Sequence, residues 1–218
     1  MAMGMIADIA YLRGEYDEAL RIRRDIELPV YERLGDTRSA AITWGKIADI
    51  AYQRGDYDEA LRIRHDIELP AYERLGDTRF AAITWGNIAD IAYQRGDYDE
   101  AAELHRNRLE VHMQLGDLDG IASADWGLAQ IDLTRKDYQS ALPRLTESFQ
   151  ILGRLQRPDG IAAVGWTLGQ LLTDAGQADQ GRQVLSDALA AAAMIGWTDL
   201  AQQISTLLNT PPDAGEPT

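Results

Sequence analysis

Glycine returns in this chain at a fixed period, and no other feature limits the available folds so tightly. One series runs Gly14, Gly55, Gly96 and Gly176, with Lys136 in the fourth place. The other runs Gly35, Gly76, Gly116 and Gly196, with Gln156 in the fourth. Within each series the step is 41 or 40 residues. The flanking residues repeat as well: AYQRGDYDEA stands at Ala51–Ala60 and again at Ala92–Ala101, and AYLRGEYDEA at Ala10–Ala19. A catalytic centre needs its groups once, whereas a stacked array needs the same packing solution in every layer. A period of this length therefore predicts a solenoid of repeated units.

Between the glycines the apolar residues keep a helical rhythm. Ala40, Trp44, Ile47, Ala48 and Ala51 recur at three- and four-residue spacing, and Tyr57, Ala60, Leu61, Ile63 and Ile67 keep a similar face. Each unit reads as two antiparallel helices, A and B, with a glycine turn after each. Glycine just past a helix end adopts the left-handed conformation that side chains resist. Asp56 is expected to cap the next helix with Glu59 completing a capping box, and Asp97 with Glu100 to repeat it. Ala60, Ala101 and Ala141 fall where helices A and B come closest.

Two departures from the period carry information. The step from Gly14 to Gly35 and from Gly55 to Gly76 is 21, but from Gly96 to Gly116 it is 20. An extra residue therefore lies in helix B of the first two units, which read IELPVY and IELPAY. One inserted residue rotates the remainder of the helix by about 100°, and Pro29 and Pro70 each remove an amide donor. A kink or π-type bulge just before each proline is predicted. The tryptophans shift too. Trp44 and Trp85 stand nine residues after their turn glycines, whereas Trp126 and Trp166 stand ten after Gly116 and Gln156. That rotation carries Trp126 and Trp166 to the place of Gly45 and Gly86, which is expected on the inner face of helix A; the alternative is that the helix rolls and both indoles stay buried.

These residues resemble the tetratricopeptide repeat family. Its pattern of Trp-x2-Leu-Gly, a later Gly, an aromatic and then Ala reads here Trp44, Ile47, Ala48, Gly55, Tyr57, Ala60, and again Trp85, Ile88, Ala89, Gly96, Tyr98, Ala101. The fifth unit keeps Leu168, Gly169 and Gly176 but puts Ala178 and Gly181 in place of the aromatic and the Ala. The 40–41-residue period is similar to the subclass found in kinesin light chains and in the sensor arms of bacterial signalling ATPases. The resemblance implies an all-α fold, a right-handed superhelical solenoid of about five antiparallel helix pairs over residues 1–209 with a C-terminal closing helix. Residues 210–218 are expected to be a disordered tail.

The resemblance also implies a function, since the inner face of such a superhelix is lined by helix A and holds an extended peptide or a partner helix. By register the lining is Asp8 and Tyr11, then Asp49, Tyr52 and Gln53, then Asp90, Tyr93 and Gln94. Trp126 and Gln130, then Trp166 and Gln170, continue it. Repeated carboxylates suit Lys or Arg side chains of a partner, tyrosines stack on guanidinium groups, and glutamines bond a peptide backbone in both directions. Plain duplication is the alternative: residues 6–38 and 47–79 differ at four positions, so the stripe is also what copying leaves behind.

Composition narrows the classes further. A net charge of −14 argues against nucleic acid, which needs a basic footprint, and against anionic membranes. A basic or neutral protein partner fits better, although acidity also serves solubility. There is no cysteine, so disulfides and thiolate metal sites are excluded; a cytoplasmic setting is expected. The apolar run Ala188–Trp197 reaches about half the length of a membrane span, and MAMGMIADIAYLRG has no basic leader. The RGD at Arg54–Asp56 and Arg95–Asp97 is the helix turn itself, and the RIRRD stretch at Arg21–Asp25 reads as a solvated face. His105 and His112 are seven apart on helix B with no third ligand beside them, and no catalytic or phosphate-binding motif appears. Neither an enzyme, a cofactor nor a metal is expected. MAMGMIAD aligns with ITWGKIAD inside helix A, so Met3, Met5 and Ile6 are expected to be exposed. The rival function is accordingly a self-assembling homo-oligomeric array joined through this uncapped helix.

Overall fold

The turns are built alike throughout. Every glycine of the two series adopts the left-handed conformation, and Lys136 and Gln156 adopt it as well, at φ 59° and 53°. The residue after each donates its N–H to the carbonyl five positions back, as Asp36 does to Tyr31 and Asp56 to Ala51, both at 2.9 Å. The carboxylates of Asp36, Asp56, Asp77, Asp117 and Asp137 then accept the N–H three residues on. The expected capping box at Asp56 does not close. Its own N–H is already spent on Ala51, and the Glu59 carboxylate binds Arg62 instead.

A computed structural model describes residues 2–209, with side chains from Gly4 onward; the expected tail and the Met3 side chain lie outside the described residues. The chain divides into two compact units, residues 1–111 and 112–218. In the first, α1 (Ala2–Leu12) pairs with a B helix made of α2 (Tyr16–Arg21), a π-helical segment π1 (Ile22–Glu27) and α3 (Leu28–Leu34). Next, α4 (Thr37–Gln53) pairs with α5 (Tyr57–Ile63), π2 (Arg64–Glu68) and α6 (Leu69–Arg74). The unit closes with α7 (Thr78–Arg95) and most of α8 (Tyr98–Leu115). The second unit holds α9 (Leu118–Thr134), α10 (Tyr138–Arg154), α11 (Pro158–Asp174), α12 (Ala178–Met194) and the closing helix α13 (Thr198–Asn209). Among the described residues there is no strand, and no helix is long and apolar enough to cross a membrane.

The two π segments are the predicted bulges. Leu28 donates its N–H to Arg23 and Leu69 to Arg64, each five residues back. The wider turn accommodates Pro29 and Pro70, which have no N–H to give and whose rings crowd the carbonyl four residues back in an α-helix. Helix α8, whose glycine-to-glycine step is one residue shorter and which has no proline, is α-helical throughout. Ala19, Ala60, Ala101 and Ala141 are fully buried, as the close approach of A and B requires. Trp44 packs on Leu28, Ile47, Ala48 and Ile63 between helices.

Candidate functional site

The π register decides which side chains of helix B reach helix A. In the first layer it turns Arg23 inward until the residue is 2% exposed. Its guanidinium binds Glu27 at 2.9 Å and Asp8 at 2.6 Å. The reading of RIRRD as a solvated face is corrected here: Arg21 and Arg24 are exposed, but Arg23 is core. Asp8 also receives Lys46 at 2.9 and 3.1 Å. Burial works against its charge, but the bonds from Lys46 and Arg23 hold the Asp8 carboxyl below the usual range. The second layer repeats the core of this arrangement. Arg64 binds Glu68 at 2.7 Å and Asp49 at 2.5 Å, and burial lifts Glu68 above the ordinary range against the pull of Arg64.

The third layer differs because α8 lacks the extra residue. His105 takes the place of Arg64, and Arg108 that of Glu68. His105 Nε2 lies 3.7 Å from Asp90, and burial, reinforced by the Arg108 charge, drives its pKa down to about 3. His105 is therefore neutral, and Arg108 supplies the charge that faces Asp90. His112 is also buried and sits 3.1 Å from Asp117. Among the described residues no three metal-capable side chains cluster.

The tyrosines stand beside these carboxylates. Tyr11, Tyr52 and Tyr93 each pack on the first tyrosine of the following helix, Tyr16, Tyr57 and Tyr98, with ring centroids 5.3 to 5.7 Å apart. Gln53 stands beside Tyr11 and Gln94 beside Tyr52, each opposing the rise in phenol pKa that burial causes. Between α1, α4 and α7 the chain leaves a cavity of about 170 Å³ lined by Tyr11, Asp49, Tyr52, Gln53, Arg64, Asn87, Asp90 and Ile91. Five of the residues placed on the inner face by register thus meet in one hollow. The side chains of Asp49 and Asp90 are 48% and 58% exposed there. A larger cavity of about 300 Å³ lies elsewhere in this unit, but charges along its wall are already paired, Arg24 with Glu59 and Arg54 with Asp17.

The second unit replaces much of this polar seam with apolar packing and keeps Arg144 of α10 against Asp125 and Asp132 of α9. Gly45 and Gly86 do not face an open groove: a Cβ there collides with the Glu68 carboxylate or the Arg108 guanidinium of the paired helix. Trp126 and Trp166 stand at the places of these two glycines in the period. Where A carries tryptophan, B carries a small residue. Trp126 shares a hollow with Ser148, and Trp166 packs on the cluster holding Ala188. Both indoles are half-buried, as are Gln130 and Gln170. Asp125, 4% exposed, lies beside Arg144 at 3.4 Å, and burial, with the nearby Glu147 charge, pushes its carboxyl up to about 6.

Sequence reasoning missed Arg23, Arg64, Arg108 and Asn87. The signal for Arg23 and Arg64 lay in the prolines: a bulge at this place re-aims the residues just before it. Asn87 aligns with Lys46 one period earlier, and that difference was legible in the repeat itself.

Residues 80–154 match the family model of the tetratricopeptide repeat. Among curated proteins no sequence matches the chain. Of solved structures, BtubC from P. vanneervenii is 18% identical with a TM-score of 0.69, over 99% of this chain and 84% of that one. The Rap conjugation gene regulator of plasmid pLS20, in complex with the Phr* peptide, is 15% identical with a TM-score of 0.76, over 95% of this chain and 57% of that one. The signal transduction ATPase PH0952 from Pyrococcus horikoshii, which has a tetratricopeptide repeat sensor, is 14% identical with a TM-score of 0.66, over 94% of this chain and 35% of that one. These likenesses concern the fold, an all-α solenoid of helix pairs.

Proposed function

We propose that this chain, which belongs to the tetratricopeptide repeat family, is a non-enzymatic interaction module that holds an extended partner segment against the exposed face of its A helices. The observation that carries this reading is the hollow in which Tyr11, Asp49, Tyr52, Gln53 and Asp90 converge from three successive layers. Rigid tyrosines, amides and carboxylates are the groups that hold a peptide at low entropic cost. The plasmid regulator of similar fold is itself solved with a peptide. Tyr93 and Gln94 extend the face within the first unit. Trp126, Gln130, Trp166 and Gln170 are proposed as a separate contact surface in the second.

The test is a selection of peptides from a random display library, followed by fluorescence anisotropy. Peptides selected on the wild type are expected to lose about tenfold or more in affinity on a variant combining Tyr52→Ala with Gln94→Ala. An exposed control in α13, Gln202→Ala, leaves them unchanged. Equal loss in both variants, or a library that yields no binder, overturns the reading.

A second reading is favoured by α1. Met5 and Leu12 are 66% and 81% exposed, and Ile9 is 48% exposed while its counterpart Ile50 is 1% exposed. That apolar face is proposed to join a second copy of the chain. Sedimentation velocity of the wild type against Ile6→Glu with Ile9→Glu tests it: a dimer converted to a monomer supports self-association, and a monomeric wild type removes it.

A further inference from the structure

The second layer of the first unit lacks one positive charge, and the first layer shows what fills that place. In the first layer the carboxylates of Asp8 and Glu27 face two cations, Arg23 and Lys46. In the third, Asp90 faces Arg108 from its own layer, with His105 neutral. In the second, Arg64 is the one cation paired with Asp49 and Glu68 among the described residues, and its charge also reaches Asp90. The position that gives Lys46 to Asp8 gives Asn87 to Asp49, each 38 residues further along the chain. Asn87 carries no charge and is too short to reach as lysine does. What remains is the cavity of about 170 Å³, lined by Tyr11, Tyr52, Asp49, Arg64, Asn87 and Asp90 among others.

We infer that this cavity receives an alkylammonium group, presented by a lysine side chain of the partner segment, which takes toward Asp49 the position that Lys46 takes toward Asp8. The inference rests on the A-helix face being the binding surface and names the chemistry that this face selects. Three features favour it. The Asp49 side chain is about half exposed, so the ion pair forms without stripping both partners of water. Tyr11 and Tyr52 offer ring surface against the aliphatic stem and the cation. The Arg64 guanidinium already occupies the inner side of Asp49, which leaves the outer side to a compact point charge rather than to a second fork.

The chain also supplies its own control. Asn87→Lys puts the missing ammonium in place from within, keeps every other wall residue, and copies an arrangement the fold already contains. The probe is the peptide acetyl-Gly-Lys-Gly-amide, followed by carboxyl and amide NMR signals of Asp49, Asp90 and Asn87. The same peptide with an acetylated lysine, and n-butylammonium, are the comparison arms. Expected are saturable shifts at Asp49 with the lysine peptide, smaller shifts with butylammonium, none with the acetylated peptide, and an affinity loss of about tenfold or more in Asn87→Lys. A wild type that ignores the lysine peptide, or an Asn87→Lys protein that binds it as before, overturns the inference. Butylammonium binding as tightly as the peptide assigns the cavity to a free amine and removes the partner's lysine. Selected peptides that lose affinity in the Tyr52 and Gln94 variant yet contain no lysine sink this inference alone and leave the binding face standing.

Discussion

Replacing Asp125 by asparagine is expected to stabilise the second unit at neutral pH and not at acidic pH. Asp125 is 4% exposed. Burial is the main reason its pKa rises from 3.8 to about 6; Glu147 adds to the rise, and Arg144 opposes it. A folded-state value above the unfolded one means that the folded chain holds the proton more tightly. Stability from this group is therefore full below about pH 4 and falls as the pH rises through about 6. The ionised form costs about 3 kcal/mol at neutral pH for a shift of this size. Asparagine removes that cost but forfeits the Arg144 contact, worth roughly 1 kcal/mol, while Arg144 keeps Asp132 at 3.1 Å. The net gain expected at pH 8 is about 2 kcal/mol, shrinking to zero or below at pH 4. Urea unfolding followed by tryptophan fluorescence at both pH values reads the gain, and carboxyl NMR reads the Asp125 pKa directly. Equal destabilisation at pH 4 and pH 8, or an Asp125 pKa below about 4.5, refutes the reasoning.

Other consequences are as open to measurement. Lys136→Gly and Gln156→Gly, relieving left-handed side-chain residues, should each raise stability by about 1 kcal/mol, whereas Lys136→Ala should not. Glu68→Ala leaves a buried guanidinium with Asp49 alone and should cost roughly 3–5 kcal/mol, while Arg64→Met with Glu68→Leu should cost far less; similar losses in both would contradict the pairing. Trp126→Gly should cost about 3–5 kcal/mol by leaving a cavity. Adding Ser148→Arg, which recreates the Gly86 and Arg108 pairing, should return part of that loss in a double-mutant cycle.

The fold was legible because its rules are local and repeated. Left-handed turns were readable even at Lys136 and Gln156, since the period marks the place whatever residue fills it. The π segments were readable from an extra residue followed by a proline. What stayed hidden depends on how helix A meets helix B. Asp8 and Arg23, like Asp49 and Arg64, are 15 residues apart, and no helical periodicity within one element joins them. The same hidden contact shows why Gly45 is glycine: it clears space for Glu68. Register placed a stripe of Asp, Tyr and Gln on one face of the A helices, but it did not show that internal cations already hold Asp8 and Asp49.

The most direct measurement is an NMR footprint of a selected peptide on isotope-labelled protein. The account predicts that the largest shifts fall at Tyr11, Asp49, Tyr52, Gln53, Asn87 and Asp90. Shifts confined to the B helices, or to the outer face of α1 at Met5 and Ile9, would contradict it.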